Sequence, residues 1–284
     1  TFTGAVGGSS ALSSLTVSGS GGASLGGNVT TTGAQSYTGA VTIAGNDTLT
    51  GTTITLTGAV DDSVANTHSL TVSGNAVFGS TVGATNKLAS LHVTGTTTTG
   101  GNITTGGAQA FDGATTLGTD AILTTSNGNV TFGSTLNGAH ALAIAAGSGA
   151  VHFTGAVGGS AALTSLSSSG SGTVTIDNNI TTTGTQSYTG AVTLGGNSTL
   201  TTTNSAVSFG STVNGAYALT VASGSGAVSF ASTVGNSSAL TSLSSSGSGT
   251  VTLNGNVTTT GAQSYTGATT LGTDAILTTS NGNV

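Results

Sequence analysis

A four-residue phrase, Ala206-Val207-Ser208-Phe209, returns with small changes along the whole chain, and a self-similar period constrains architecture more tightly than any other property of a sequence. Its apolar last position recurs at Phe2, Leu25, Ile43, Leu56, Phe78, Thr99, Leu117, Phe132, Phe153, Ile176, Leu194, Phe209, Phe230, Leu253 and Leu271, where Thr99 is the one polar member. The spacing repeats as well: a wide step, a narrower one, a short one and a second wide one, so that Phe2, Phe78 and Phe153 each open a unit of four phrases and Phe230 opens a further one of three. The expectation is one domain over 1–284, built of units 1–75, 76–149, 150–226 and 227–284. Thr1 to Gly8 read like the interior segment from Phe153 to Gly159, and Asn283-Val284 like Asn129-Val130, which predicts a piece of a longer array.

Within each phrase apolar and polar residues alternate, as in Val174-Thr175-Ile176 and Val192-Thr193-Leu194, the period-two signature of a strand with one buried face. Gly-rich, Thr-rich and β-branched sequence without an apolar stripe at helical spacing disfavours helix. If successive phrases stack in parallel, one per turn, Phe2 to Leu271 forms a single inward column. Val41, Ile54, Val130, Val151, Val174, Val192, Val207, Val228 and Val251 form a second column two residues earlier. This pattern predicts an all-β fold, a right-handed parallel β-solenoid (β-helix) of about 15 turns with four turns per unit, the hand following from the crossover rule. Asn28, Asn46, Asn102, Asp120, Asn179, Asn197, Asn256 and Asp274 fall three residues after the phrase. Such residues tolerate left-handed backbone and bond their own main chain, so they are expected at corners.

Composition narrows the function classes. With one lysine (Lys87), no arginine and seven aspartates giving a net charge of -6, nothing can neutralise phosphates, and nucleic-acid partners are not expected. The same holds for anionic membranes. No apolar run is long enough to span a bilayer. Low charge with a mean hydropathy of +0.27 argues against disorder. The chain has no cysteine, which is compatible with export.

The segments Thr31-Thr32-Gly33-Ala34-Gln35-Ser36-Tyr37-Thr38-Gly39-Ala40-Val41-Thr42, Thr183-Gly184-Thr185-Gln186-Ser187-Tyr188-Thr189-Gly190-Ala191-Val192-Thr193-Leu194 and Gly261-Ala262-Gln263-Ser264-Tyr265-Thr266-Gly267-Ala268 resemble the strand repeats of large bacterial surface proteins. These are the filamentous-haemagglutinin-like adhesins and autotransporter passengers. The resemblance implies a secreted or cell-surface β-helical stalk that often contributes to adhesion, and it carries no catalytic residues to transfer.

Each candidate for chemistry has a plainer reading beside it. The Gln-Ser-Tyr segment could offer rings to a sugar, but the second unit reads Gln109-Ala110-Phe111, and packing is the expectation. His68 and His140 occupy the place of Tyr217, while His92 and His152 fall on other turns; metal chelation needs ligands that converge on one point. Asp61-Asp62 matches Asn137-Gly138 and Asn214-Gly215 and reads as a solvated loop rather than a calcium site. A file of outward residues, Ser24, Thr42, Thr55, Val77, Thr98, Thr116, Thr131, His152, Thr175, Thr193, Ser208, Ser229, Thr252 and Thr270, invites an ice-binding reading. That reading wants a second file alongside, where Ala40, Ala114, Ala191, Ala206, Ala227 and Ala268 stand instead. Without glutamate or arginine a polysaccharide-cleaving groove is hard to assemble. No catalytic, cofactor or metal residues are therefore expected. The expected function is the non-catalytic shaft of an extracellular or cell-surface adhesin. A self-assembling filament or sheath is the alternative, and an ice- or glycan-binding solenoid a lesser one. Expected partners are further copies or neighbouring repeats end to end, with any receptor open.

Overall fold

The computed structural model describes residues 1–272 and 274–284. Among the described residues there is no helix. The chain is a succession of short strands, most of them no longer than one phrase, paired in parallel throughout. This is a β-solenoid of about 13 turns, consistent with a right-handed β-helix. Two compact units are distinguished, residues 1–134 with 145–149, and residues 135–144 with 150–284.

In the first unit each turn has three faces. On the first face Ala23–Leu25 pairs with Val41–Ile43, and that strand with Val60–Asp62. On the second, Val29 lies beside Leu49, Leu49 beside Val72, Val72 beside Val93, Val93 beside Phe111 and Phe111 beside Phe132. On the third, Val17, Tyr37, Leu56, Phe78, Thr99 and Leu117 follow one another in register. The strands Asp47–Leu56 and Leu70–Phe78 run along the second face and round a corner onto the third, with a register irregularity at the bend.

The second unit repeats the plan. Phe153, Ile176 and Leu194 form one column. Ser168, Tyr188, Phe209, Phe230, Leu253 and Leu271 form another. The rings of Phe209 and Phe230 stack at 4.8 Å and 7°. Like residues thus bury against like residues of the turns before and after, which is how a solenoid shares one core among units that could not bury it alone.

The single column expected from Phe2 to Leu271 is therefore corrected. Phe2, Leu25 and Ile43 stack on the first face, but the next member is Asp62, while Leu56 lies on Tyr37 two faces further along. Likewise Phe132 sits on Phe111 rather than Leu117, and Phe209 on Tyr188 rather than Leu194. The short steps in the sequence, from Ile43 to Leu56, from Leu117 to Phe132 and from Leu194 to Phe209, mark these breaks. Each covers two sides of a three-sided turn, whereas the wider steps go all the way round. Four phrases consequently span three turns and two faces, which is why the expected 15 turns become about 13.

The corner residues also act differently from expectation. Asn28 accepts the N–H of Thr48 at 2.8 Å, Asn46 that of Ser69, Asn102 that of Ile122, Asn179 that of Thr199, Asn197 that of Ala218 and Asn256 that of Ile276. They bond the main chain of the following turn, not their own, and so staple turns together.

Candidate functional site

The Gln-Ser-Tyr segments lie in the interior. Gln35 and Tyr37 are fully buried. The Gln35 amide donates to the Val29 and Thr50 carbonyls at 3.1 and 2.8 Å, and the Tyr37 hydroxyl donates to Gln35 Oε1 at 3.0 Å. Gln186 and Gln263 make the same bonds with Tyr188 and Tyr265. Each glutamine places its buried amide on main-chain carbonyls, which keeps the amide itself satisfied, as a folded interior requires. Burial pushes the phenols of Tyr37 and Tyr188 well up and that of Tyr265 up to about 12, so all three stay protonated and donate. In the second repeat Phe111 lacks the hydroxyl, and Gln109 Oε1 is left without a partner. The segment therefore packs: the rings of Tyr37, Phe111 and Tyr188 are fully buried and that of Tyr265 is half-buried.

The outward hydroxyls divide among the faces. Ser24 and Thr42 share a file with Asp61, while Thr55, Val77, Thr98 and Thr116 share one with Ser36. In the second unit Ser167, Ser187, Ser208, Ser229, Thr252 and Thr270 form a hydroxyl file, with Ala206, Ala227 and Ala268 on the neighbouring outward positions of its strands.

The histidines are not gathered. His92 Nε2 lies 2.8 Å from Asp112 and His152 Nε2 2.8 Å from Asp177, both pairs on the surface, where such contacts contribute little. His140 sits at a corner of the second unit, its N–H bonded to the Gly138 carbonyl. Among the described residues no group of three or more His, Cys, Asp or Glu side chains could hold a metal ion.

The most individual feature is built around Asp61 and Asp62, and here the expectation of a solvated loop is corrected. Between the inward residues Val60 and Leu70 the first repeat has four residues more than the matching stretches Leu136 to Leu142 and Val213 to Leu219. Asp61 does what asparagine does in the later copies: it accepts the N–H groups of Thr85 and Asn86, as Asn137 accepts those of Ser160 and Ala161 and Asn214 those of Ser237 and Ser238. Asp62 replaces Gly138 and Gly215, which sit at φ of 130° and 126°. Its strand keeps its side chain inward, 1% exposed, stacked on Ile43.

The Asp62 carboxylate gathers the inserted residues. Oδ1 accepts the Val64 N–H at 3.1 Å and meets His68 Nδ1 at 2.7 Å, while Oδ2 accepts the N–H groups of Thr67 and His68, both at 2.8 Å. Burial alone would raise this carboxyl, but the hydrogen bonds from His68, Thr67 and Val64 together outweigh it and hold it below its ordinary value. Ser63 Oγ lies 3.4 Å from the same His68 nitrogen. A serine–histidine–aspartate relay uses opposite ring nitrogens, so this grouping shapes a turn. The loop it holds is exposed, with Val64 60% accessible and Asn66 in the left-handed region at φ 63°. The Asn66 N–H donates to the Lys87 carbonyl, the Asn66 side chain lies against Gly106, and Lys87 Nζ reaches Ser126 Oγ at 2.7 Å.

Beneath the loop lies Asp47, 2% exposed, with no partner on either carboxylate oxygen among the described residues. Burial raises this carboxyl, and the nearby His68 opposes the rise in part. Ala121 and Ser198 stand at the same place in the next two repeats. The four extra residues and the exchange of glycine for Asp62 are the sequence signals that mark this site.

The sequence matches no family model, and neither a curated protein nor a solved structure matches the chain. No helix among the described residues is long and apolar enough to cross a membrane.

Proposed function

We propose that the chain is a stretch of the non-catalytic shaft of a large secreted or surface-attached adhesin. The observation that supports this reading is the parallel pairing of strand on strand through each unit. Stacked turns bury a largely apolar column, each repeat adds one glutamine corner, and asparagines staple turn to turn, an arrangement suited to extending a structure and passing load from turn to turn. The surface between the corners carries few charges and many Ser, Thr and Ala side chains, which suits a spacer that binds nothing along its sides.

The reading is tested by expressing chains of one, two and four copies and measuring particle length by electron microscopy, with light scattering in parallel. At roughly 4.8 Å per strand spacing, each repeat of three and two-thirds turns adds about 18 Å. Length growing linearly with copy number in monodisperse particles supports a shaft. Concentration-dependent fibres favour the self-assembling filament. Tight binding of a glycan by the isolated chain overturns the spacer reading.

A further inference from the structure

The first repeat differs from the others by an insertion whose closure depends on an ionisable group. The loops at Asn137 and Asn214 are shorter and are fixed by amide oxygens, which do not titrate. Ser63 to Thr67 are fixed by Asp62. All four contacts to its carboxylate come from donors, the N–H groups of Val64, Thr67 and His68 and the His68 ring. An ionised carboxylate is acceptor-only and matches four donors; a carboxylic acid must point its own O–H at one of them.

We infer that Asp62 is a proton-operated latch on the inserted loop: ionised, it holds Ser63 to Thr67 closed; protonated, it releases them while the turns on either side stay folded. The titratable and charged groups around it are few. His68 faces the carboxylate from the loop itself, Asp47 lies beneath on the preceding turn within reach of the His68 charge, and Asp61 beside it is turned toward Thr85 and Asn86. From the following turn come Asn86, whose side chain donates to the Asp62 main-chain carbonyl, and Lys87, engaged with Ser126. The direction follows from the hydrogen bonds: a carboxyl held low in the folded state contributes stability above its unfolded value, and that contribution is lost as pH falls through the folded value. The latch accordingly opens in acid, below the usual Asp value of about 3.9. Its released segment would carry the exposed Val64 and uncover the surface at Lys87 and Gly106, giving this one repeat an acid-responsive face that its neighbours lack.

The test is two-dimensional NMR of the whole chain from pH 7 to pH 2.5, following the amides of Val64, Thr67 and His68. The expected result is one shared transition below pH 4, with Val72 and Phe78 in the strand that follows the loop and Ser160 and Ser237 at the asparagine-held loops unchanged. In Asp62→Asn the shared transition disappears, and in Asp62→Ala the three amides take open-loop shifts at every pH. Amides that stay fixed to pH 2.5 overturn the inference, as does a transition that persists in Asp62→Asn but vanishes in His68→Asn, which would assign it to His68. Simultaneous loss of the Val72 and Phe78 signals also overturns it, because the event would then be unfolding.

Discussion

Asp47 shows how one side chain can work against its surroundings. Both oxygens are buried without a donor, and an unsatisfied buried group costs about 1 to 3 kcal/mol, more when charged. Because burial raises its carboxyl, the penalty is present at neutral pH and fades as acid protonates it. Asp47→Ala, the residue found at position 121, is therefore expected to stabilise the protein by about 1 to 3 kcal/mol at pH 7. The gain should shrink toward pH 4, read from urea titrations at both pH values. Gln109 presents the converse, an acceptor whose donor is missing. Phe111→Tyr restores the hydroxyl that Tyr37, Tyr188 and Tyr265 supply and should contribute roughly 1 kcal/mol; a loss of stability would mean that the stacked Phe111 and Phe132 rings, 5.4 Å apart, leave no room. Phe209, stacked on both Tyr188 and Phe230, should cost about 3 to 5 kcal/mol as alanine. The outward Ser208 should cost under about 0.5 kcal/mol.

Among the elements, the corner is where energy and sequence are most directly linked. Asn214→Ala removes the acceptor of two N–H groups on the next turn and is expected to cost about 0.5 to 1.5 kcal/mol per bond lost, whereas Asn214→Asp should be tolerated at neutral pH because Asp61 makes the same contacts. Thermal unfolding of the two variants separates these outcomes. The strands themselves are legible in the sequence, since inward Val174 and Ile176 and outward Thr175 follow from alternation alone. What stacks on what is not. Alternation says which side of a strand is buried but not which strand lies above it, so Leu56 and Ile43 look equivalent in sequence while the turn sets them on different faces. Asp62 reads as solvated in sequence for a related reason: an aspartate in a polar stretch carries no mark of burial, and only the hydrogen bonds of the inserted loop reveal it.

At the scale of the molecule, no cross-link or metal cluster among the described residues stands beside the core. The melting temperature is thus expected to be unchanged by EDTA or by reductant, and a fall with EDTA in differential scanning calorimetry would reveal an ion holding the turns. Stability should instead follow the number of turns, as nearest-neighbour coupling dictates.

The mismatch between sequence period and turn has a further consequence. Within the first unit the phrase that begins a repeat passes from the first face at Phe2 to the third at Phe78, and within the second unit it again moves two faces on, from Phe153 to Phe230. Gene duplication acts on the sequence period, so gaining or losing one copy leaves the stacking intact but swings whatever follows through a third of a revolution. Copy number then sets heading as well as reach: only additions in threes would lengthen such a chain and leave its far end pointing the same way.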